Sequence, residues 1–171
     1  MDNRENREKV ALFPASFDPL TNGHLDVVER ALGIFDRLVL AVAFNIEKKD
    51  TFTKDERLAM LRSVFGDEPR IDVTAFDCLT VDFAKEIGAQ VIIRGLRAIS
   101  DFEYELQLAL TNRTLEPDIE TVFLLPGKEY IYLASRIVKE IASYGGPVDE
   151  FVTPAVEKRL RGKYGTFPED R

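Results

Sequence analysis

The chain has 171 residues, 45% of them apolar and 31% charged, and a formal net charge of -7. This composition predicts one folded domain over residues 1–171 and argues against nucleic-acid binding, which requires a basic surface. The longest apolar runs, such as residues 38–44, are too short to span a membrane, and the polar start lacks a signal-peptide pattern. Cys78 is the only cysteine, so there is no internal disulfide, and a cytoplasmic protein is the simplest expectation.

Apolar runs and helical spacing alternate along the chain after residues 1–8, which are expected to form a frayed tail. In chain order, the pattern predicts strand 10–15, helix 24–35, strand 38–44, helix 53–65, strand 71–76, helix 81–87, strand 91–93, helix 101–114, strand 121–125, helix 134–144 and helix 154–161. Thr53 and Glu56 have capping-box spacing at the second helix. The last helix belongs to a helical extension at residues 153–171.

The predicted strands are continuous apolar runs that alternate with helices. Both features are typical of a parallel sheet that is covered on both faces. The expected fold is therefore α/β, a Rossmann-like, doubly wound sheet of five parallel strands with helices on both faces. Such sheets bind ligands at the carboxyl ends of their strands, so functional residues are expected in the loops after the first, second, fourth and fifth strands.

The loop after the first strand reads FPASFDPLTNGH over residues 13–24 and ends on His24, the only histidine. Ala15 and Ser16 are small and let a ligand approach the backbone. Gly23 and His24 open the next helix, whose free N–H groups and dipole attract anions. We expect His24 to donate a hydrogen bond to a phosphate oxygen. Taken alone, a helix-capping turn with a partly exposed histidine is the better interpretation.

Two arginines follow the fourth strand. Arg94 and Arg97 flank Gly95, and two guanidinium groups beside a flexible residue suit bidentate contacts to phosphate. The alternative is a pair of surface arginines that form ion pairs with Asp101 or Glu103.

Two further loops carry cations or a hydroxyl. Lys48 and Lys49 follow the second strand, and alone they are better interpreted as a solvated pair. Ser135 and Arg136 lie near the start of the helix after the fifth strand, where the alternative is a simple N-cap. Four such loops at one edge of one sheet together favour an anion-binding site. The chain has no GxxxxGK[ST] loop, no GxGxxG after the first strand, and no evident catalytic triad or carboxylate pair.

Several motifs resemble a known family. Thr21-Asn22-Gly23-His24 is similar to the T/HxGH signature of the nucleotidyltransferase superfamily. The stretch IRGLRAISDFEYELQLALTNR, residues 93–113, resembles the bacterial phosphopantetheine adenylyltransferases more specifically, as do KKDTFT and VFLLPGKEY. The likeness runs from about residue 10 to about residue 152.

The resemblance implies that ATP and 4′-phosphopantetheine react to give dephospho-coenzyme A and pyrophosphate. It also implies Mg²⁺ carried with ATP, a homohexamer, and coenzyme A as a feedback ligand. A phosphate monoester with a second pKa of roughly 6 is largely dianionic at neutral pH, so the reaction needs no protein nucleophile. The protein then has to position the two anionic substrates and to stabilise the charge that develops on the α-phosphate.

The resemblance also implies roles for individual residues. The implied catalytic residues are His24, Lys48, Arg97 and Ser135. The implied contacts on the phosphopantetheine side are Ser16, Lys48, Leu79, Thr80 and Arg94. The implied ATP contacts are Ser16, Phe17, His24, Gly95, Leu96, Arg97, Glu105, Tyr130, Ile131, Tyr132, Leu133, Ala134, Ser135 and Arg136.

Two positions depart from the family motifs. Ala15 replaces a usual glycine where the backbone is expected to need a positive φ or close ligand approach. The segment Leu133-Ala134-Ser135-Arg136 replaces ISSS, which loses hydroxyls and adds a cation, so we expect an adjusted phosphate clamp. The alternatives are a sister enzyme with another acceptor, such as nicotinamide mononucleotide, a catalytically weak nucleotide-binding protein, and a scaffold domain. The motifs RGLR and DFEYE weigh against a sister enzyme with another acceptor. The retained His24 and Arg94 weigh against a catalytically weak nucleotide-binding protein.

Overall fold

The computed structural model describes residues 8–43, 50–97 and 99–165, with only the backbone for 99–101. Five strands form the sheet: β1 Val10–Ala15, β2 Arg37–Ala43, β3 Ile71–Phe76, β4 Val91–Gly95 and β5 Glu120–Leu124. The helices are α1 Asn22–Leu32, α2 Lys54–Phe65, α3 Thr80–Glu86, α4 Ile99–Leu115, α5 Ser135–Ser143 and α6 Pro154–Tyr164. A 3-10 turn at Lys128–Tyr130 precedes α5.

The sheet has the order β3-β2-β1-β4-β5, and all its neighbouring strands run parallel. The predicted doubly wound fold is therefore confirmed. The chain moves outward from β1 to β2 and β3, and then crosses back to β4 and β5 on the other side. This change of direction at β1 and β4 opens a crevice at the carboxyl ends of the strands, where such folds bind ligands.

Alternate residues of each strand enter two apolar cores, one on each face of the sheet. Ala11 and Phe13 of β1 pack with α1, α2, α5 and α6, whereas Val10 and Leu12 pack on the face that α3 covers. Because both faces are covered, the strands read as continuous apolar runs. No helix among the described residues is long and apolar enough to cross a membrane.

The predicted elements are all present in the described part of the chain, with boundaries within three residues of the observed ones. One difference matters for the site. Arg94 and Gly95 lie inside β4, paired with Phe123 and Leu124 of β5, so the prediction that they follow the strand is wrong. Backbone pairing continues past the apolar residues that the sequence pattern detects.

The helix α4 leaves an apolar side exposed. Phe102, Leu106 and Leu110 are exposed, whereas Glu105 is buried. The spacing of apolar residues predicted a helix here, but in the single chain the helix turns a carboxylate toward the interior.

Asp18, in the loop after β1, connects three distant parts of the chain. Its side chain is 2% exposed. The backbone N–H groups of Thr51 and Phe52 donate to it over 3.0 and 2.8 Å, and Lys139 Nζ of α5 donates over 2.7 Å. The carboxylate therefore fixes the loop between the start of α2 and α5.

Replacing Asp18 with alanine is expected to lower the free energy of unfolding by about 3–5 kcal/mol, because it leaves Lys139 and two backbone donors without their acceptor. Urea denaturation measures the change. The matched control is Asp72→Ala, since Asp72 pairs with Arg37 at the surface, where both side chains are about half exposed. That control should cost about 0–1 kcal/mol. Equal losses in the two variants would contradict the role given to Asp18.

Candidate active site

The loops after β1, β4 and β5 meet at the crevice beside β1 and β4. Arg94 Nη1 donates to the Pro14 carbonyl over 2.8 Å. Arg97 Nη1 donates to the Leu133 carbonyl over 3.2 Å. The Ser135 hydroxyl donates to the Pro19 carbonyl over 2.8 Å. Three of the four loops expected from the sequence are thus joined by direct hydrogen bonds, whereas Lys48 and Lys49 lie outside the described residues.

His24 is the third residue of α1, which Thr21 precedes as N-cap. The helix starts two residues earlier than predicted, but His24 lies in its first turn as expected. The imidazole Nδ1 accepts a hydrogen bond of 3.1 Å from the backbone N–H of Thr21. Since a backbone N–H can only donate, Nδ1 carries no proton, and the neutral ring has its proton on Nε2. Helix capping therefore fixes the tautomer and makes Nε2–H a donor.

The surroundings of His24 keep its ring neutral. The ring of Phe17 lies 5.2 Å from the imidazole and that of Phe13 lies 6.4 Å away, measured between centroids. Burial, and then the nearby positive charge of Arg97, lowers the pKa of His24 from 6.5 to about 4. The substrate-free imidazole is therefore a neutral donor at physiological pH. The helix-capping interpretation and the donor interpretation are both compatible with this geometry, because they use different nitrogens.

The positive φ in this loop falls on Phe17, at 47°. Ala15, by contrast, is the last residue of β1 and pairs in extended register with Val42. The expectation that position 15 needs a positive φ is therefore wrong, and the alanine there is compatible with the backbone. The ring of Phe17 is fully buried and lies edge-on to Phe13 at 5.6 Å.

Arg94 forms a two-pronged ion pair with Glu105. The guanidinium Nε and Nη2 donate to the two carboxylate oxygens over 2.6 and 2.7 Å, and the side chains are 24% and 11% exposed. The alternative expected from the sequence was an ion pair with Asp101 or Glu103. The structure instead places Glu105 of α4 against Arg94 of β4. With the bond to Pro14, three of the five guanidinium N–H groups are occupied.

The segment leading into α5 contributes a hydroxyl and a helix start. Ser135 is the first residue of α5, and its hydroxyl donates to Pro19. The alternative of a simple N-cap is therefore wrong, because Ala134 occupies the cap position. Leu133 is buried, whereas Tyr132 and Arg136 are exposed. The open N–H groups at this helix start lie next to the β1 loop, which suits an anion.

Leu79 and Thr80 lie further along the same sheet edge, beyond β3. Leu79 is the exposed N-cap of α3, and Thr80 is its first residue. A cavity of about 300 Å³ lies at the end of β3, lined by Lys54, Ala75, Phe76 and Asp77. Leu79 and Thr80 follow the edge strand β3, which β2 separates from β1 in the sheet.

Sequence reasoning missed the charged residues behind the site, namely Asp18, Arg57 and Lys139. Arg57 lies four residues before Leu61 on α2, and both are buried. Helical spacing alone places the two on one face, so this signal was available. The pairing of Asp18 with Lys139 spans 121 positions, and nothing local in the sequence indicates it.

The described residues contain no group of three histidine, cysteine or acidic side chains that could hold a metal ion. The two buried carboxylates near the crevice are already engaged, Asp18 by Lys139 and Glu105 by Arg94. These residues therefore do not fit a protein-made Mg²⁺ cage.

Comparisons with known proteins agree with this geometry. A family model described as cytidylyltransferase-like matches residues 12–141. The chain superposes on a Vibrio parahaemolyticus protein assigned as a nicotinate-nucleotide adenylyltransferase with a TM-score of 0.68 at 17% identity, covering 90% of this chain and 99% of that one. A nicotinic acid mononucleotide adenylyltransferase of Plasmodium falciparum gives 0.66 at 12%, covering 94% and 98%. These solved structures share the fold, and the model match places the chain among the nucleotidyltransferases.

Relatives of higher sequence identity narrow the assignment from the nucleotidyltransferases to one enzyme family. The chain is 53% identical over 156 residues to the phosphopantetheine adenylyltransferase of Geotalea daltonii, covering 91% of this chain and 97% of that protein. It is 49% identical over 160 residues to that of Anaeromyxobacter dehalogenans, covering 94% and 98%. The chain belongs to the phosphopantetheine adenylyltransferase family.

Proposed function

We propose that the chain transfers the adenylyl group of ATP to 4′-phosphopantetheine and releases dephospho-coenzyme A and pyrophosphate, a step of coenzyme A biosynthesis. The observation that carries the proposal is a neutral, tautomer-fixed His24 where three loops meet, in a chain about half identical to phosphopantetheine adenylyltransferases. ATP is a polyanion and the acceptor carries a dianionic phosphate, and the crevice offers a helix start, two arginines and a helix-borne imidazole.

The acceptor phosphate is the nucleophile in this mechanism. One of its oxygens bonds to the α-phosphorus of ATP while the bond from that phosphorus to the β-phosphate oxygen breaks, and pyrophosphate leaves. The acceptor is already a dianion, so no side chain has to remove a proton. His24 Nε2–H donates to a non-bridging oxygen of the α-phosphate, where charge develops in the transition state.

The other residues of these loops are proposed to bind the two substrates. Arg97 and Ser135 contact the leaving phosphates, and Ser16 contacts both substrates. Arg94 and Lys48 hold the phosphate of phosphopantetheine, and Leu79 and Thr80 line its pantetheine arm. The proposed remaining ATP contacts are Phe17, Gly95, Leu96, Glu105 and residues 130–136.

Mg²⁺ is proposed to arrive bound to the phosphates of ATP, where it would neutralise charge on the leaving group. We further propose a cytoplasmic homohexamer that coenzyme A inhibits as a feedback ligand. The exposed Phe102, Leu106 and Leu110 of α4 support an assembly, because such apolar surface is commonly covered by another subunit.

The test is pyrophosphate release from ATP and Mg²⁺, with 4′-phosphopantetheine and nicotinamide mononucleotide offered in parallel. Release with 4′-phosphopantetheine alone is expected. Release with the mononucleotide instead would keep the reaction class and overturn the acceptor. ATP binding with no release from either acceptor would favour a nucleotide-binding protein, and binding of neither substrate would favour a scaffold domain.

A further inference from the structure

Arg57 is a buried arginine behind the loop that carries Ser16 and Phe17. Its side chain is 1% exposed and lies in α2. The guanidinium Nη1 donates to the Ser16 carbonyl over 2.9 Å, and Nη2 lies 3.0 Å from Asp50 Oδ2. Burying a guanidinium is costly unless it is paired and hydrogen-bonded. Arg57 nevertheless uses one of its nitrogens to donate to a backbone carbonyl. This suggests that the position of the Ser16 carbonyl is important for the loop.

The bond to Ser16 determines how the next peptide group is oriented. The Ser16–Phe17 peptide is trans, since the only cis bond in the described chain is Asp18-Pro19. In a planar trans peptide the N–H points opposite to the C=O. The N–H of Phe17 is therefore directed away from Arg57. Phe17 also has a φ of 47°, a left-handed conformation that is strained for a non-glycine residue and persists only when its surroundings hold it.

Phe17 connects this peptide to His24. Its fully buried ring lies 5.2 Å from the imidazole and 5.6 Å from the ring of Phe13. The ring is thus part of an aromatic wall, together with Phe13, beside the partly buried imidazole. A change in the backbone of Phe17 would move this wall, because the ring is attached at the strained residue itself.

We propose that Arg57 is a positioning residue for adenylyl transfer, which holds the Ser16 carbonyl and thereby fixes the Phe17 peptide, the Phe17 ring and the orientation of His24. Arg57 contacts no reacting atom and acts through Phe17. The kinetic part of this proposal rests on the function proposed above. The structural part concerns the substrate-free chain and stands or falls without any turnover.

His24 is the only histidine, so the imidazole region of a ¹⁵N NMR spectrum contains a single side chain from the protein. The wild-type ring should show an unprotonated Nδ1 and a pKa near 4. Arg57→Lys keeps the positive charge but cannot span the Ser16 carbonyl and Asp50 with a rigid fork. In this variant the pKa of His24 should rise toward 6.5. The kcat should fall about 10- to 100-fold with a smaller change in the KM for ATP, as expected for a misplaced catalytic group.

Three further variants separate positioning from other effects. Asp50→Asn weakens the ion pair but leaves the Ser16 bond, so the His24 pKa should stay near its wild-type value. Leu160→Ala removes buried apolar volume in α6 and should lower the free energy of unfolding without altering the imidazole signals. Phe17→Leu removes the aromatic wall with Arg57 in place and should raise the His24 pKa, which keeps the test decisive if Arg57→Lys fails to fold.

The outcomes distinguish this proposal from the proposed function. An unchanged His24 pKa in Arg57→Lys, or in Phe17→Leu where only that variant folds, would overturn the positioning role even if the chain releases pyrophosphate normally. A shifted pKa in a chain that uses neither acceptor would uphold the positioning of His24 and refute the proposed function. A shift of equal size in Leu160→Ala would overturn the proposal as well, because general destabilisation would then be sufficient to cause it.

Discussion

Replacing His24 with alanine is expected to lower kcat about 100- to 1,000-fold, because the variant loses one preorganised donor to the charge that develops on the α-phosphate. The imidazole is held through Nδ1 by the Thr21 backbone and carries its proton on Nε2, so it meets the phosphate without reorganising. The KM for ATP should change little, since the interaction strengthens only in the transition state. Steady-state kinetics with ATP varied at saturating 4′-phosphopantetheine measures both quantities.

His24→Gln is the matched variant, because its amide N–H donates from a position similar to that of imidazole Nε2. We expect it to retain more of the rate than His24→Ala. The free ring is neutral above about pH 4, so donation by the imidazole does not require a charge on the ring. Near-normal turnover in His24→Ala would rule out the role proposed for this residue.

The sheet was predictable because burial on both faces leaves a strong local signal. Strand β1 is a run of buried residues, and such runs stand out between helices in any parallel sheet. The end of β4 was not predictable in this way. Arg94 continues the backbone pairing with β5 while its side chain leaves the core for Glu105. A pattern based on apolar residues ends at the first polar side chain, although the backbone hydrogen bonds between β4 and β5 continue beyond it.

The edge of the sheet that holds the candidate site was also predictable, since parallel strands end together and their loops meet. The hydrogen bonds that organise those loops were less accessible. Arg57 reaches Ser16 across 41 positions and Lys139 reaches Asp18 across 121. Each residue taken singly is typical of a helix surface. The spacing of Arg57 from Leu61 indicates which face of α2 it shares, but only the packed structure reveals that Arg57 reaches Ser16 and that Lys139 reaches Asp18.

The helix α4 shows a different limit of prediction from the sequence. Its apolar spacing predicts the helix, but periodicity does not state which surface an apolar side will meet. In the single chain, Phe102, Leu106 and Leu110 are exposed and Glu105 takes the inward position. A buried carboxylate requires a partner, and the arginine of β4 supplies it.

Replacing Arg94 with alanine is expected to raise the KM for 4′-phosphopantetheine about 10- to 150-fold, with a smaller effect on the KM for ATP. The range corresponds to the loss of one charged hydrogen bond, worth about 1.5–3 kcal/mol. Arg94 is held by Glu105 and by the Pro14 carbonyl, so the guanidinium is fixed before the substrate arrives. The KM for each substrate, measured with the other saturating, tests the selectivity.

Glu105→Gln separates the positioning of Arg94 from its contact with substrate. The amide keeps the shape of the carboxylate and one acceptor oxygen, so Arg94 should remain in place with a weaker bond, and the KM for 4′-phosphopantetheine should rise less than in Arg94→Ala. Arg37→Ala, at the surface end of β2, controls for the loss of a positive charge and should leave both KM values unchanged. A selective rise in the KM for ATP in Arg94→Ala would instead assign this arginine to the nucleotide side, where its partner Glu105 is proposed to act.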